Sequence, residues 1–167
     1  MIALGIDPGT ATTGYGVVSI ENNFFKCLNY GTIDTDKNLS DSVRLNVLNK
    51  KLKKIIKKSS PDIFAIESIY FFKNAKTVIS VSQARGVALL TAEKKKLPIY
   101  EFTPLEVKMN IANYGRADKK QIQEMVKRLL NLKEIPRPDD AADALGIAIC
   151  GLIKGMDPVP LHYENTY

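Results

Sequence analysis

The stretch Ile2-Ala3-Leu4-Gly5-Ile6-Asp7-Pro8-Gly9, with the run from Gly14 to Ile20 that follows it, decides how this chain folds. An apolar run that stops at an acid, a proline and a glycine has the form of a buried strand closed by a tight turn. Gly14 to Ile20 and Phe24 to Ile33 are two more strand-like runs, joined by the polar turn Glu21-Asn22-Asn23, so the start predicts an antiparallel meander. From Ser40 the period changes. Val43, Val47, Leu48, Leu52, Ile55 and Ile56 recur at helical spacing, with Lys50, Lys51, Lys53, Lys54, Lys57 and Lys58 largely opposite, and Pro61 ends the helix. Asp62 to Glu67 then reads as a buried strand ending in an acid, and Lys76 to Lys96 as a long helix rich in small residues. Pro98 to Phe102 is a fifth strand. Thr103-Pro104-Leu105-Glu106 opens a helix with Thr as N-cap and Pro at its first position. Ala117 to Leu130 is amphipathic, and Asp139 to Ile153 opens on two acids, which suit the positive end of a helix. The order βββαβαβααα predicts an α/β fold, one mixed five-stranded sheet of three antiparallel then two parallel strands with helices on both faces.

The 167 residues, 45% hydrophobic and 25% charged, suit one globular domain, expected over residues 1–155 with an irregular tail over 156–167. Lys and Arg number 24 against 18 acids, and the net charge of +6 favours a polyanionic partner. The longest apolar stretch, Ala141 to Ile153, is interrupted by Asp143 and falls short of the ~20 residues a membrane span takes. Met1 to Asp7 lacks the basic flank of a signal peptide, so no membrane association and a cytoplasmic location are expected. Cys27 and Cys150 stand apart and read as reduced, structural thiols. The single histidine, His162, lies in the proline-rich tail, which makes His-based and Ser-His catalysis improbable. Any chemistry then rests on carboxylates, lysines or a bound metal.

Ligands in open α/β sheets gather at the carboxyl ends of strands. Asp7 ends the first strand and Glu67 the fourth, so both acids can face one crevice. Asp140 and Asp143 are three apart at a helix start and share a face. Asp7 before Pro-Gly also reads as a turn former, and one of Asp139 and Asp140 as a helix-capping acid. Glu67 at a buried strand end needs a partner, and Asp143 amid Ala141, Ala142, Ala144, Leu145 and Gly146 has no evident outlet to solvent. An all-oxygen donor set suits Mg²⁺, with Mn²⁺ as the alternative; a metal-generated hydroxide is then the natural nucleophile, and a pair of ions ~3.5–4 Å apart would also stabilise a leaving oxygen.

The residues Gly5-Ile6-Asp7-Pro8-Gly9, Thr13-Gly14-Tyr15-Gly16, Ala65-Ile66-Glu67, Lys73-Asn74-Ala75, Gln83-Ala84-Arg85-Gly86 and Asp140-Ala141-Ala142-Asp143-Ala144-Leu145 resemble, in that order, the RuvC family of Holliday-junction resolvases in the RNase H-like nuclease superfamily. The resemblance covers residues 2 to 153. It implies an RNase H-like fold and a metal-dependent, structure-selective endonuclease of DNA recombination and repair. Such an enzyme works as a homodimer, nicks two strands of like polarity in a four-way junction, and leaves 5′-phosphate and 3′-hydroxyl ends. It further implies two ions per active site and the branch-migration proteins RuvA and RuvB as partners. The family's catalytic acids fall on Asp7, Glu67, Asp140 and Asp143. Asp139 is left out, because only Asp140 stands three before Asp143. The family's two basic residues fall on Lys108 and Lys119, with Lys120 as the neighbouring alternative, and its aromatic wedge on Tyr70. Lys73, Lys76, Arg85, Arg116 and Lys120 are expected to contact DNA phosphates, as is the lysine-rich helix before Pro61. The small-residue helix around Gln83 to Leu90 is a candidate dimer interface. Asp7-Pro8-Gly9-Thr10 also resembles the phosphate loop of actin- and hexokinase-type ATPases, but the chain lacks their second domain and second nucleotide loop, and the pair Asp140/Asp143 has no role there.

Overall fold

The computed structural model describes residues 1–68 and 75–156, with residues 75–77 described by their backbone alone. Ten elements follow in the expected order: β1 (Ile2–Asp7), β2 (Thr12–Glu21), β3 (Phe24–Asp34), α1 (Asp41–Ser59), β4 (Ile63–Glu67), α2 (Ala75–Glu93), β5 (Ile99–Phe102), α3 (Pro104–Ala112), α4 (Lys119–Leu129) and α5 (Asp139–Met156). They build one sheet of order β3-β2-β1-β4-β5. β1 pairs antiparallel with β2 and β2 with β3, whereas β1–β4 and β4–β5 are parallel. The expected mixed sheet is therefore present.

Side chains alternate across a strand, and that alternation assigns every core residue to a layer. Leu4 and Ile6 of β1, with Phe64 and Ile66 of β4, pack under α1 and α2 against Leu48, Leu52, Ile56, Ala84, Ala88 and Ala92. Ala3, Ile63 and Ala65 turn to the other face and meet α3, α4 and α5 through Val107, Ile122, Val126, Leu145 and Ala148. α5 lies between the sheet and the α3–α4 pair, so it is buried almost all round from Ala141 to Leu152. Burial on both sides explains its lack of a polar face.

Glycine lets α5 lie directly on the strands. A Cβ on Gly14 would come 2.0 Å from the Asp140 carbonyl oxygen, and one on Gly5 would come 2.2 Å from that of Ala144. α5 also runs three residues past the expected Ile153, because Gly155 still rests on the sheet, where a Cβ would meet Ile63 at 2.3 Å. α4 starts at Lys119 rather than Ala117. Asp118 is its N-cap: the Asp118 carboxylate accepts from the Gln121 N–H at 2.9 Å, and Gln121 Oε1 accepts from the Asp118 N–H at 2.9 Å. Thr103 and Glu106 make the same reciprocal box at the start of α3, as expected for Thr-Pro-Leu-Glu. α2 ends at Glu93 instead of Lys96, the turn being closed by the Lys95 and Leu97 N–H groups on the Ala92 carbonyl with Lys96 left-handed.

Candidate active site

The period of two that sorts the core also aims the acids. Asp7 has the parity of Ala3 and Gly5, and Glu67 that of Ile63 and Ala65, so both carboxylates leave the sheet on the α5 side. The parallel register pairs Ile6 with Ile66, which sets Asp7 and Glu67 at the adjoining ends of neighbouring strands. Gly14 stands opposite Asp7 on β2, and the first turn of α5 closes over it at the Asp140 backbone. Three elements distant in sequence thus deliver Asp7, Glu67, Asp140 and Asp143 to one end of the sheet.

Burial and mutual repulsion raise the proton affinities of Asp7, Glu67 and Asp143. Burial, then the charges of Glu67, Asp143 and Asp140, push the Asp7 carboxyl up to about 8. Burial and the Asp143 charge push Glu67 up to about 7. Asp143 is raised chiefly by burial, against the opposing pull of Lys119. Desolvated like charges held together are the usual mark of a site built for a cation or a proton.

Lys119 supplies the nearest positive charge. Its Nζ lies 3.1 Å from Asp143 Oδ2 and 3.3 Å from Asp139 Oδ2. Burial acts to lower the ammonium pKa, but the contacts with Asp143 and Asp139 outweigh it and the net shift is upward. Lys108 reaches the same place from α3: a cleft of about 210 Å³ is lined by Glu67, Lys108, Lys119 and Asp143 over an apolar floor of Val107, Ile122 and Ile147. Of the two expected basic residues, Lys119 contacts the acids directly and Lys108 shares the cleft with them. Lys120, the neighbouring alternative, instead lines a different groove with Tyr114, Met125 and Arg137.

Other expected residues lie elsewhere. Arg85 was expected at DNA, but its side chain is only 20% exposed, donates to the Glu67 carbonyl oxygen at 3.3 Å and pairs with Glu101. It braces the end of β4, because α2 crosses there and buries the guanidinium between two acceptors. Arg116 is exposed. Tyr70 and Lys73 lie outside the described residues, as do the side chain of Lys76 and His162. Cys27 and Cys150 are free thiols, and burial pushes Cys150 up to about 12.

Two features escaped the sequence. Asp139, left out of the acid set because only Asp140 stands three before Asp143, contacts Lys119 and accepts from Arg137 at 2.7 Å. The second is a chain of hydroxyls behind Asp7: Thr13 Oγ1 donates to the Gly9 carbonyl, Thr35 Oγ1 to the Thr10 carbonyl at 2.6 Å, and Thr10 Oγ1 to the Ser80 carbonyl. Arg44 Nε caps this chain on Thr35 Oγ1 at 3.0 Å. It ties the turn after Asp7 to α1 and α2. Thr10, Thr13 and Thr35 were its only trace in the sequence.

Among the described residues no group of three or more His, Cys, Asp or Glu side chains is already arranged to hold a metal ion. The donor chemistry still fits a hard divalent cation, since the four acids offer carboxylate oxygens and Asp7 and Glu67 are raised by burial and then by like charge that such an ion would offset.

The sequence profile described as Crossover junction endodeoxyribonuclease RuvC matches residues 3–151. The chain belongs to the RuvC family. Relatives carrying the name crossover junction endodeoxyribonuclease RuvC include those of Caldanaerobacter subterraneus subsp. tengcongensis, 53% identical over 90% of this chain and 91% of its own, and Caldicellulosiruptor saccharolyticus, 53% identical over 92% and 93%. Among solved structures, Thermus thermophilus RuvC superposes with a TM-score of 0.87 at 30% identity, covering 93% of this chain and 95% of its own. T. thermophilus RuvC in complex with Holliday junction substrate gives 0.84 at 28% identity over the same shares. This RuvC-family chain is thus a nuclease with the family's mixed-sheet fold, and the family's nucleases depend on metal. Among its described residues no helix is long and apolar enough to cross a membrane.

Proposed function

We propose that this RuvC-family chain resolves four-way DNA junctions by metal-dependent nicking of two strands of like polarity, leaving 5′-phosphate and 3′-hydroxyl ends. The observation that carries the reading is the pairing of Asp7 and Glu67 at the ends of adjacent parallel strands, both facing the first turns of α5 and both pushed far up by burial and shared charge. Asp7, Glu67, Asp140 and Asp143 would hold two Mg²⁺ ions, with Mn²⁺ as a substitute. When bound, such ions supply Lewis acidity at the phosphate and a more acidic water.

The chain's own groups do the rest. Loss of the protons on Asp7 and Glu67 prepares the acid face for cations. Lys119, held on the flank of that face by Asp143 and Asp139, lies within reach of a phosphate placed in the cleft, which Lys108 also lines. Two ammonium groups at the phosphate offset charge as it builds on the non-bridging oxygens. The apolar floor of Val107, Ile122 and Ile147 thins the water around them and strengthens each interaction.

A four-way junction has near two-fold symmetry, which a C₂ dimer matches with one site per strand. The exposed face of α2 supports such a dimer: Ile79 and Leu90 are 69% and 51% exposed, and Gly86 between them leaves open space. Tyr70, immediately beyond β4, would stack on an unpaired base near the crossover. RuvA and RuvB are the partners that family membership suggests. Cleavage of a synthetic four-way junction with Mg²⁺, set beside linear duplex and beside Ca²⁺, tests the proposal. Equal cleavage of the duplex, or robust ATP turnover without DNA, would overturn it.

A further inference from the structure

Asp139 and Asp143 stand one helical turn apart on the same face of α5, and the Lys119 ammonium bridges them. The two acids differ in surroundings: the Asp143 side chain is 33% exposed, and that of Asp139 is more open at 44%. Asp139 is also anchored from the far side, its Oδ1 accepting from Arg137 at 2.7 Å while its Oδ2 faces Lys119. It is thus a braced carboxylate outside the set of four acids, with one oxygen turned toward the lysine.

We infer that Asp139 is a positioning residue for Lys119, holding the ammonium beside the cleft when Asp143 turns to its own work in the site. Asp143 contacts the Lys119 ammonium here, and in the proposed function it would also serve a cation. Were Asp143 the sole partner of Lys119, engaging a cation would release the lysine side chain, with its four rotatable bonds, into solvent. Asp139 removes that conflict. It keeps Nζ tethered at one point of the first α5 turn, and the Asp139–Arg137 contact keeps the tether from swinging. A lysine so held loses little further freedom on meeting a phosphate, and small misplacements of such groups are costly to rate. The inference rests on the proposed placing of Lys119 at the phosphate, so its test separates the two.

The experiment is a double-mutant cycle on junction cleavage at saturating protein and Mg²⁺, with Asp139→Asn, Lys119→Gln and the pair. Asp139→Asn is expected to slow single-turnover cleavage about tenfold, with junction affinity in Ca²⁺ changed less than twofold. In the Lys119→Gln background the same substitution should change the rate less than twofold, and Asp139→Glu should recover most of the loss. A second readout is independent of turnover: in the Mg²⁺-loaded, DNA-free protein, the ¹⁵N signal of the Lys119 ammonium should be visible through slow exchange with water and should vanish in Asp139→Asn. An equal loss from Asp139→Asn in both backgrounds, or an ammonium signal indifferent to Asp139, overturns the positioning role. Unchanged cleavage by Lys119→Gln alone would instead remove the placing of Lys119, a distinct failure.

Discussion

Replacing Asp7 with Asn in the metal-free protein should raise its stability at neutral pH, by an amount that shrinks to nothing in acid. The Asp7 carboxyl is pushed up to about 8 from an ordinary 3.8, first by burial and then by Glu67, Asp143 and Asp140. The unfolded chain therefore sheds this proton near 3.8 and the folded chain only near 8. Between those limits the folded state carries more protons, so wild-type stability falls as pH rises through the window and levels off above it. At about 1.4 kcal/mol per pH unit, the fall between 3.8 and pH 7 comes to about 4 kcal/mol. The side chain is partly exposed, and solvent screening should leave roughly half, ~2 kcal/mol, which for a chain of this length is a Tm change of about 4–8 °C. Asn keeps the shape and removes the ionisation. Thermal and urea unfolding in EDTA across about pH 4.5 to 8.5 should show the two proteins converging in acid and the variant pulling ahead toward neutrality. The same variant should lose cleavage while still binding junctions, separating a site kept for function from one kept for folding. A variant no more stable than wild type at neutral pH, or one whose advantage is the same in acid, would refute the electrostatic reasoning.

Mg²⁺ should stabilise the wild-type protein more at pH 8 than at pH 6, because the ion replaces the protons held by Asp7 and Glu67; a thermal shift independent of pH would contradict this. Lys119→Gln is expected to reduce single-turnover cleavage on the order of 100-fold with little change in junction affinity, and a parallel loss of affinity would mark it as a binding residue only. Gly14→Ala drives a methyl group to within 2.0 Å of the Asp140 carbonyl, so the first turn of α5 must lift; we expect a loss of roughly 3 kcal/mol in urea unfolding, and a wild-type midpoint would show the contact to be soft. Ile79→Glu combined with Leu90→Glu should convert a dimer to monomers in sedimentation, with the monomer fold intact by circular dichroism, and an unchanged mass would move the interface off α2.

The acid pair at the strand ends was legible because it depends on two local rules. A period of two puts Asp7 on the face of Ala3 and Gly5, and strands that run parallel end together, so Glu67 comes to the same edge. The capping box at Thr103 was equally readable, being closed within four residues. The partners of Arg85 were hidden for the opposite reason. A basic residue on a helix looks like a surface charge until α2 is laid across the sheet, and only then do the Glu67 carbonyl and Glu101 come within reach. The chain from Thr10 through Thr35 to Arg44 joins residues more than thirty positions apart, with no periodicity to announce it.

By itself, then, the sequence determined the order and type of the elements, the layer each apolar residue enters, and the four acids as a set, since backbone period and solvent exclusion act residue by residue along the chain. Tertiary structure alone decided which lysine meets those acids and which neighbouring carboxylate shares it. Lys119 and Asp139 are twenty residues apart on two helices. Their meeting depends on how α5 settles against α4 and onto Gly5 and Gly14, at distances set by the absence of two side chains and by no property of the lysine or the aspartate.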